Sequence, residues 1–222
     1  MEAFHNDSLI KEKYITRLNE HYQADQIVKG KYWENGKGCA VGCTIHSSYH
    51  KNYESELGIP KNIAHLQDNI FESLPNNLAK EFPLQFLSAI NVGADLKNVS
   101  NLFMIWLLTD KKYGVLQYAD NKKVIQDVAD AFSRDMVNTV SAEKWEELRK
   151  NAAASAYSAA ASHAAYTAAY SAASAYCVAT DSAAYYSYAY SVAHAAYSAN
   201  SSKSEWYIAA SKKLIKLLKN AN

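Results

Sequence analysis

The sequence predicts an all-α fold, and three observations carry that prediction. All three prolines (Pro60, Pro75, Pro83) and all seven glycines, the last being Gly114, lie in the first part of the 222-residue chain. The remaining stretch from Val115, about 100 residues rich in Ala, Lys, Leu and Glu, contains neither breaker and reads as helix. Upstream, apolar residues recur at helical steps and no run alternates with period two, so no strand is assigned. The expected architecture is an N-terminal domain of short helices over residues 1–140. An alanine-rich antiparallel hairpin or bundle over 141–222 is expected to pack on it.

Taken in order, residues 8–24 carry Ile10, Tyr14, Leu18 and Tyr22 at steps of four behind Asp7, a suitable N-cap. Residues 26–43 hold Gly30, Gly36, Gly38 and Gly42 and read largely as loop. A helix is expected over 44–57, closed by Gly58 at its C′ position, with Pro60 opening the next helix over 61–73. Further helices are expected at 77–82, 84–91, 97–110 and 121–138, and beyond 141. Between 151 and 200 roughly four-fifths of the residues are Ala, Ser or Tyr, a bias read first as composition. Alanine loses no side-chain entropy in a helix and lets two backbones approach closely. Tyrosines four apart (Tyr166 and Tyr170, Tyr186 and Tyr190) would border such a seam. Ser202 and Glu205 have capping-box spacing for a last helix carrying Tyr207, Leu214, Leu217 and Leu218.

Composition excludes several classes. The formal net charge is +1, with no basic stripe of the kind nucleic acid attracts. Lys212, Lys213, Lys216 and Lys219 fit the wet face of an amphipathic helix better than a phosphate site. No segment approaches the ~20 apolar residues of a membrane span, and the N-terminus has no signal-peptide pattern. Three cysteines are too few for a disulfide scaffold. A soluble cytoplasmic protein is therefore expected, with no nucleic-acid or membrane partner.

The chemistry-bearing residues gather between Tyr32 and Glu72. Cys39, Cys43, His46 and His50 are spaced i, i+4, i+7 and i+11, one face if helix begins at Cys39. One reading is nucleophilic. Cys39, with Cys43 behind it, would follow a glycine turn at a helix N-terminus, where unpaired N–H groups favour a thiolate. His46 is one candidate base, but seven residues of helix put it ~10.5 Å along the axis. A histidine from elsewhere, such as His65, would serve better. Trp33, Lys37 and Gly38 are the candidate substrate-binding residues, through the glycine loop's N–H groups and a point charge. The second reading is a metal site for zinc or another divalent ion. His46, His50 and Glu54 at i, i+4 and i+8 would face His65, Asp68 and Glu72 across the Gly58–Pro60 turn. The bland account stands beside both: cysteine as a small buried hydrophobe, and spaced polar residues as a solvated face.

The run YWENGKGCAVGCTIH, followed by YESELGIP, IFESLPN and FPLQFLSAINVGADL, resembles a family of uncharacterised bacterial and phage proteins. The resemblance covers about residues 5–96, and such proteins carry a similar alanine-rich C-terminal tract. It implies that residues 32–72 form one structural unit and suggests a phage or mobile-element setting. It implies no activity. Two functions are therefore expected as alternatives. One is a cysteine- or metal-centred site acting on a small-molecule, acyl or nucleotide substrate. The other is a phage accessory protein, not an enzyme, that sequesters a ligand or blocks a host protein complex through its helical surface.

Overall fold

A computed structural model describes residues 1–158 and 203–222. The protein is predominantly all-α, and its only sheet among the described residues is one two-stranded ribbon. Contacts divide the chain into two compact units. The first is Met1–Val99 with Ala210–Asn222, and the second is Ser100–Ala209. The division does not follow the change of composition near residue 141, because packing contacts and not alanine content define it. The part of the expected alanine-rich tract (151–200) beyond residue 158, with its tyrosine borders, Cys177 and the Ser202 cap, lies outside the described residues.

In the first unit, helix α1 (Ser8–Gln23) starts where Asp7 accepts a hydrogen bond from the Leu9 N–H at 2.8 Å. Tyr14 and Leu18 are buried while Tyr22 is 36% exposed, because a row of residues four apart drifts around a helix of 3.6 residues per turn. The segment read as loop contains a hairpin, β1 (Trp33–Glu34) and β2 (Lys37–Gly38), which corrects the assignment of no strand. Its turn is Asn35-Gly36 with φ of 52° and 76°. Positive φ at both central residues is the type I′ geometry that suits the twist of a hairpin.

The helix expected over 44–57 is two helices, α2 (Ala40–Ile45) and α3 (Asn52–Leu57). His46 separates them in the left-handed conformation, φ 52°. Gly58 ends α3 at φ 62°, and Pro60 precedes α4 (Lys61–Ser73). Helix α5 (Asn76–Ala89) runs through Pro83, where the sequence suggests a break. The ring removes one backbone donor, but it is buried and the helix continues around it. Helices α1 and α5, α4 and α5, and α2 and α4 pack together, which sets α2 and α4 side by side.

In the second unit, α6 (Val99–Thr109, beginning at the boundary), α7 (Lys122–Asp135) and α8 (Ala142–Ser158) supply the apolar faces. Phe132 of α7 meets Trp145 of α8 with ring centres 4.8 Å apart. The final helix α9 (Lys203–Lys219) passes from this unit back into the first. Its Trp206 donates to the Tyr113 carbonyl at 3.1 Å. Its Lys212, Lys216 and Lys219 are exposed and Lys213 is half-buried, as on a wet helix face. Among the described residues, no helix is long and apolar enough to cross a membrane.

Candidate functional site

Two glycines build the site by letting one backbone segment close on another. A Cβ on Gly42 would lie 1.3 Å from the Tyr32 carbonyl oxygen, and one on Gly38 would lie 2.0 Å from it. Only glycine admits that approach. Tyr32 and its neighbours therefore lie directly on α2, and the Cys39 N–H donates to the Lys31 carbonyl at 2.6 Å. Cys39 becomes the N-cap residue of α2, extended at ψ −176° and 1% exposed.

Helix α4 supplies the facing groups. Asp68 is 1% exposed, and Glu72 lies one turn further on, half-buried. Sγ of Cys39 and one carboxylate oxygen each from Asp68 and Glu72 lie within 4.8 Å of one another. Both Glu72 oxygens accept from the Gly30 N–H, at 3.0 and 3.1 Å. His50, on the segment between α2 and α3 and 7% exposed, places Nε2 3.0 Å from Asp68 Oδ2. His65 stacks on His50 with ring centres 3.9 Å apart and planes 16° from parallel. Below them Tyr53, fully buried, donates to Gln67 Oε1 at 2.7 Å.

Electrostatics follow from this burial. Desolvation first, and then the Asp68 carboxylate, push the Cys39 thiol well above the ordinary thiol range. The expected lowering at a helix N-terminus does not occur, because α2 has six residues and its cap position is dry. Burial likewise pushes the Cys43 thiol up to about 12, and the protonated thiol donates to the Gly38 carbonyl at 3.2 Å. Glu72 is raised by desolvation; the Gly30 N–H opposes this and Asp68 adds to it. The arrangement is a protonated thiol beside two carboxylates, a poor free nucleophile but a set of soft and hard donors converging on one point.

Of the residues singled out in the sequence, Cys39, His50, Asp68 and Glu72 are brought together. Cys43 is buried behind them against the Gly38 and Gln26 carbonyls. The break after α2 turns His46 away. It stacks on Trp33 at 4.1 Å, and its Nε2 lies 2.9 Å from His21 Nε2. Glu54 accepts from the Lys61 N–H at 3.0 Å and so caps α4 instead of joining a ligand set. Lys37 is exposed on the hairpin. Gly38 serves by its missing side chain. Sequence reasoning missed Gly30, Tyr53 and Gln67, and the pairing of His21 with His46. The Asn35-Gly36 turn was the available signal for the hairpin that carries Trp33 to His46.

Fold and site together define an all-α protein with a buried thiol–carboxylate–imidazole centre. No protein-family model, curated protein or solved structure matches the chain.

Proposed function

We propose that Cys39, Asp68 and Glu72 form a divalent-metal centre of the zinc class, through which the protein acts on a small polar molecule. The observation that carries this reading is the convergence of their three ligand atoms within 4.8 Å, two of them on side chains 1% exposed. A buried carboxylate and a half-buried one side by side repel each other unless a proton or a cation lies between them. A divalent ion satisfies both and takes the thiolate as a third ligand, releasing the thiol proton. Three protein ligands leave a fourth position for water or substrate, the pattern of catalytic and not of structural zinc. His50 would orient Asp68 from outside the ligand set, as the outer partners of metal ligands do.

A cavity of about 320 Å³ supports the small-molecule part. Lys29 and Phe71, chain neighbours of Gly30 and Glu72, line it together with Ile27, Val28, Asn76 and Lys80. That volume is at the small end of the range for ligand pockets. Cobalt(II) titration of the full chain tests the proposal. About one equivalent should bind and give a thiolate-to-cobalt charge-transfer band. Cys39→Ser should abolish the band, and His50→Ala should weaken binding by roughly 10–100-fold. An unchanged band in Cys39→Ser, or no saturable binding, rejects the metal centre.

A further inference from the structure

The histidine that the fold turns away from the buried centre forms a second constellation, and it stands independently of the proposal above. His21 and His46 bring their Nε2 atoms to 2.9 Å with ring planes 72° apart. Each ring is held from its other side. Gln26 Oε1, which can only accept, takes a hydrogen bond from His21 Nδ1 at 2.5 Å. That bond fixes the proton of His21 on Nδ1 and leaves its Nε2 as a lone pair. His46 lies flat against Trp33, ring centres 4.1 Å apart and planes 13° from parallel. Its backbone sits at φ 52°, where a non-glycine residue is uncommon. The chain thus accepts strain to direct a histidine at a second histidine on the protein surface.

We infer that this pair is a binding site for a late first-row divalent ion of the nickel(II) or copper(II) class. In the metal-free protein the His46 Nε2 proton occupies the space between the two nitrogens. A metal ion replaces it when that proton passes through solvent to His46 Nδ1. Both rings stay neutral, and each presents a lone pair. With metal–nitrogen bonds of ~2.0–2.1 Å, nitrogens 2.9 Å apart subtend close to a right angle at the metal. A tetrahedral ion would need ~3.3 Å, whereas adjacent positions of a tetragonal or octahedral ion need about 2.9 Å. The hydrogen bond from His21 Nδ1 to an amide oxygen is the outer contact that metal-ligating histidines make. The remaining coordination positions open onto a groove of about 510 Å³, lined by Leu9, Glu12, Thr16 and Glu20 as well as both histidines. Two cations of α1, Lys13 and Arg17, also line that groove, and Arg17 donates to the Thr44 carbonyl at 2.7 Å.

Nickel(II) titration of the full chain tests the site, with calorimetry for stoichiometry and indole emission for position. Nickel is chosen over copper because it does not oxidise thiols. One nickel per chain should bind and quench part of the emission through Trp33. His21→Ala and His46→Asn should each weaken binding by at least tenfold; asparagine is used because it tolerates the left-handed backbone. Trp33→Phe should retain calorimetric binding and lose the quenching. An isotherm unchanged in both histidine variants, with circular dichroism confirming their fold, overturns the site. So does nickel binding that disappears in Cys39→Ser but persists in the histidine variants, since the ion would then sit in the buried centre.

Discussion

Helices α4 and α7 each take part in a side-chain pair, the two pairs being of nearly equal length and opposite character. His50 and Asp68 meet at 3.0 Å with side chains 7% and 1% exposed. Lys123 and Asp127 meet at 2.8 Å with side chains 79% and 37% exposed. On α7 the buried positions are Ile125, Val128, Ala129, Ala131 and Phe132, and no charged residue is among them. On α4 the buried positions include Gln67, Asp68 and Asn69 among the apolar residues. A helix built for packing alone follows the first pattern, because an interior polar group is unfavourable unless it is hydrogen-bonded. The second pattern persists where something besides packing requires it, and it is what α4 would need as the wall of the proposed centre.

The largest expected effect tests how deeply that wall is buried. Cys43, with its thiol pushed up to about 12, would be a thiolate in roughly one molecule in ten thousand at pH 8. In a Cys177→Ser background, alkylation of Cys39 and Cys43 should be slower by at least ~100-fold in the native protein than in denaturant at that pH. Fast native alkylation of Cys39 would restore the nucleophile reading. The same shift sets a pH dependence. A thiol raised on folding keeps a proton that the unfolded chain releases above ~8.5, so its stabilisation is complete below that pH and is lost between there and about 12. A Cys43→Ala variant should show a shallower alkaline decline in stability than the parent.

Next in size is the buried pair. His50→Ala removes the imidazole from a carboxylate that stays in the interior, a change that costs about 3–5 kcal/mol in comparable buried pairs. Denaturant unfolding measures it, and a loss below ~1 kcal/mol would mean that water reaches Asp68. Gly42→Ala comes after. Its methyl group has no room beside the Tyr32 carbonyl, so about 1–3 kcal/mol should be lost as the Tyr32 segment lifts off α2. Metal affinity should fall with it, since Cys39 is seated by that contact.

How much of this was legible beforehand follows from what each feature depends on. The helical class, Asp7 as the cap of α1, and Gly58 with Pro60 between α3 and α4 rest on local propensity and were readable. So was the gathering of cysteines, histidines and carboxylates between residues 39 and 72. The break at His46 was not, because nothing in Thr44-Ile45-His46-Ser47 forbids helix. The left-handed turn is imposed by the stack on Trp33 and the contact with His21, both brought by the hairpin. That break moved His46 out of the expected ligand set and freed Cys39 to face α4. The sign of the Cys39 shift was equally hidden, since spacing reports a helix N-terminus but not its dryness.

The smallest expected effect completes the contrast. Lys123→Ala removes the cation of a contact shorter than the His50–Asp68 bond, yet stability should change by less than ~0.5 kcal/mol in either direction. Three terms oppose whatever attraction the pair supplies. Holding two long side chains in one geometry loses rotamer entropy in a setting where water already solvates both charges. Lys123 lies in the first turn of α7, where the helix dipole disfavours a positive charge. It also precedes its aspartate by four residues, the weaker orientation of such pairs. Alanine, the better helix former, recovers a further few tenths of a kcal/mol. Thermal melts of the parent and Lys123→Ala at low and high salt should superimpose to within a degree or two. A loss above ~1 kcal/mol that vanishes in salt would show that α7 uses its surface charges as α4 uses its buried ones, and the distinction drawn between the two helices would fail.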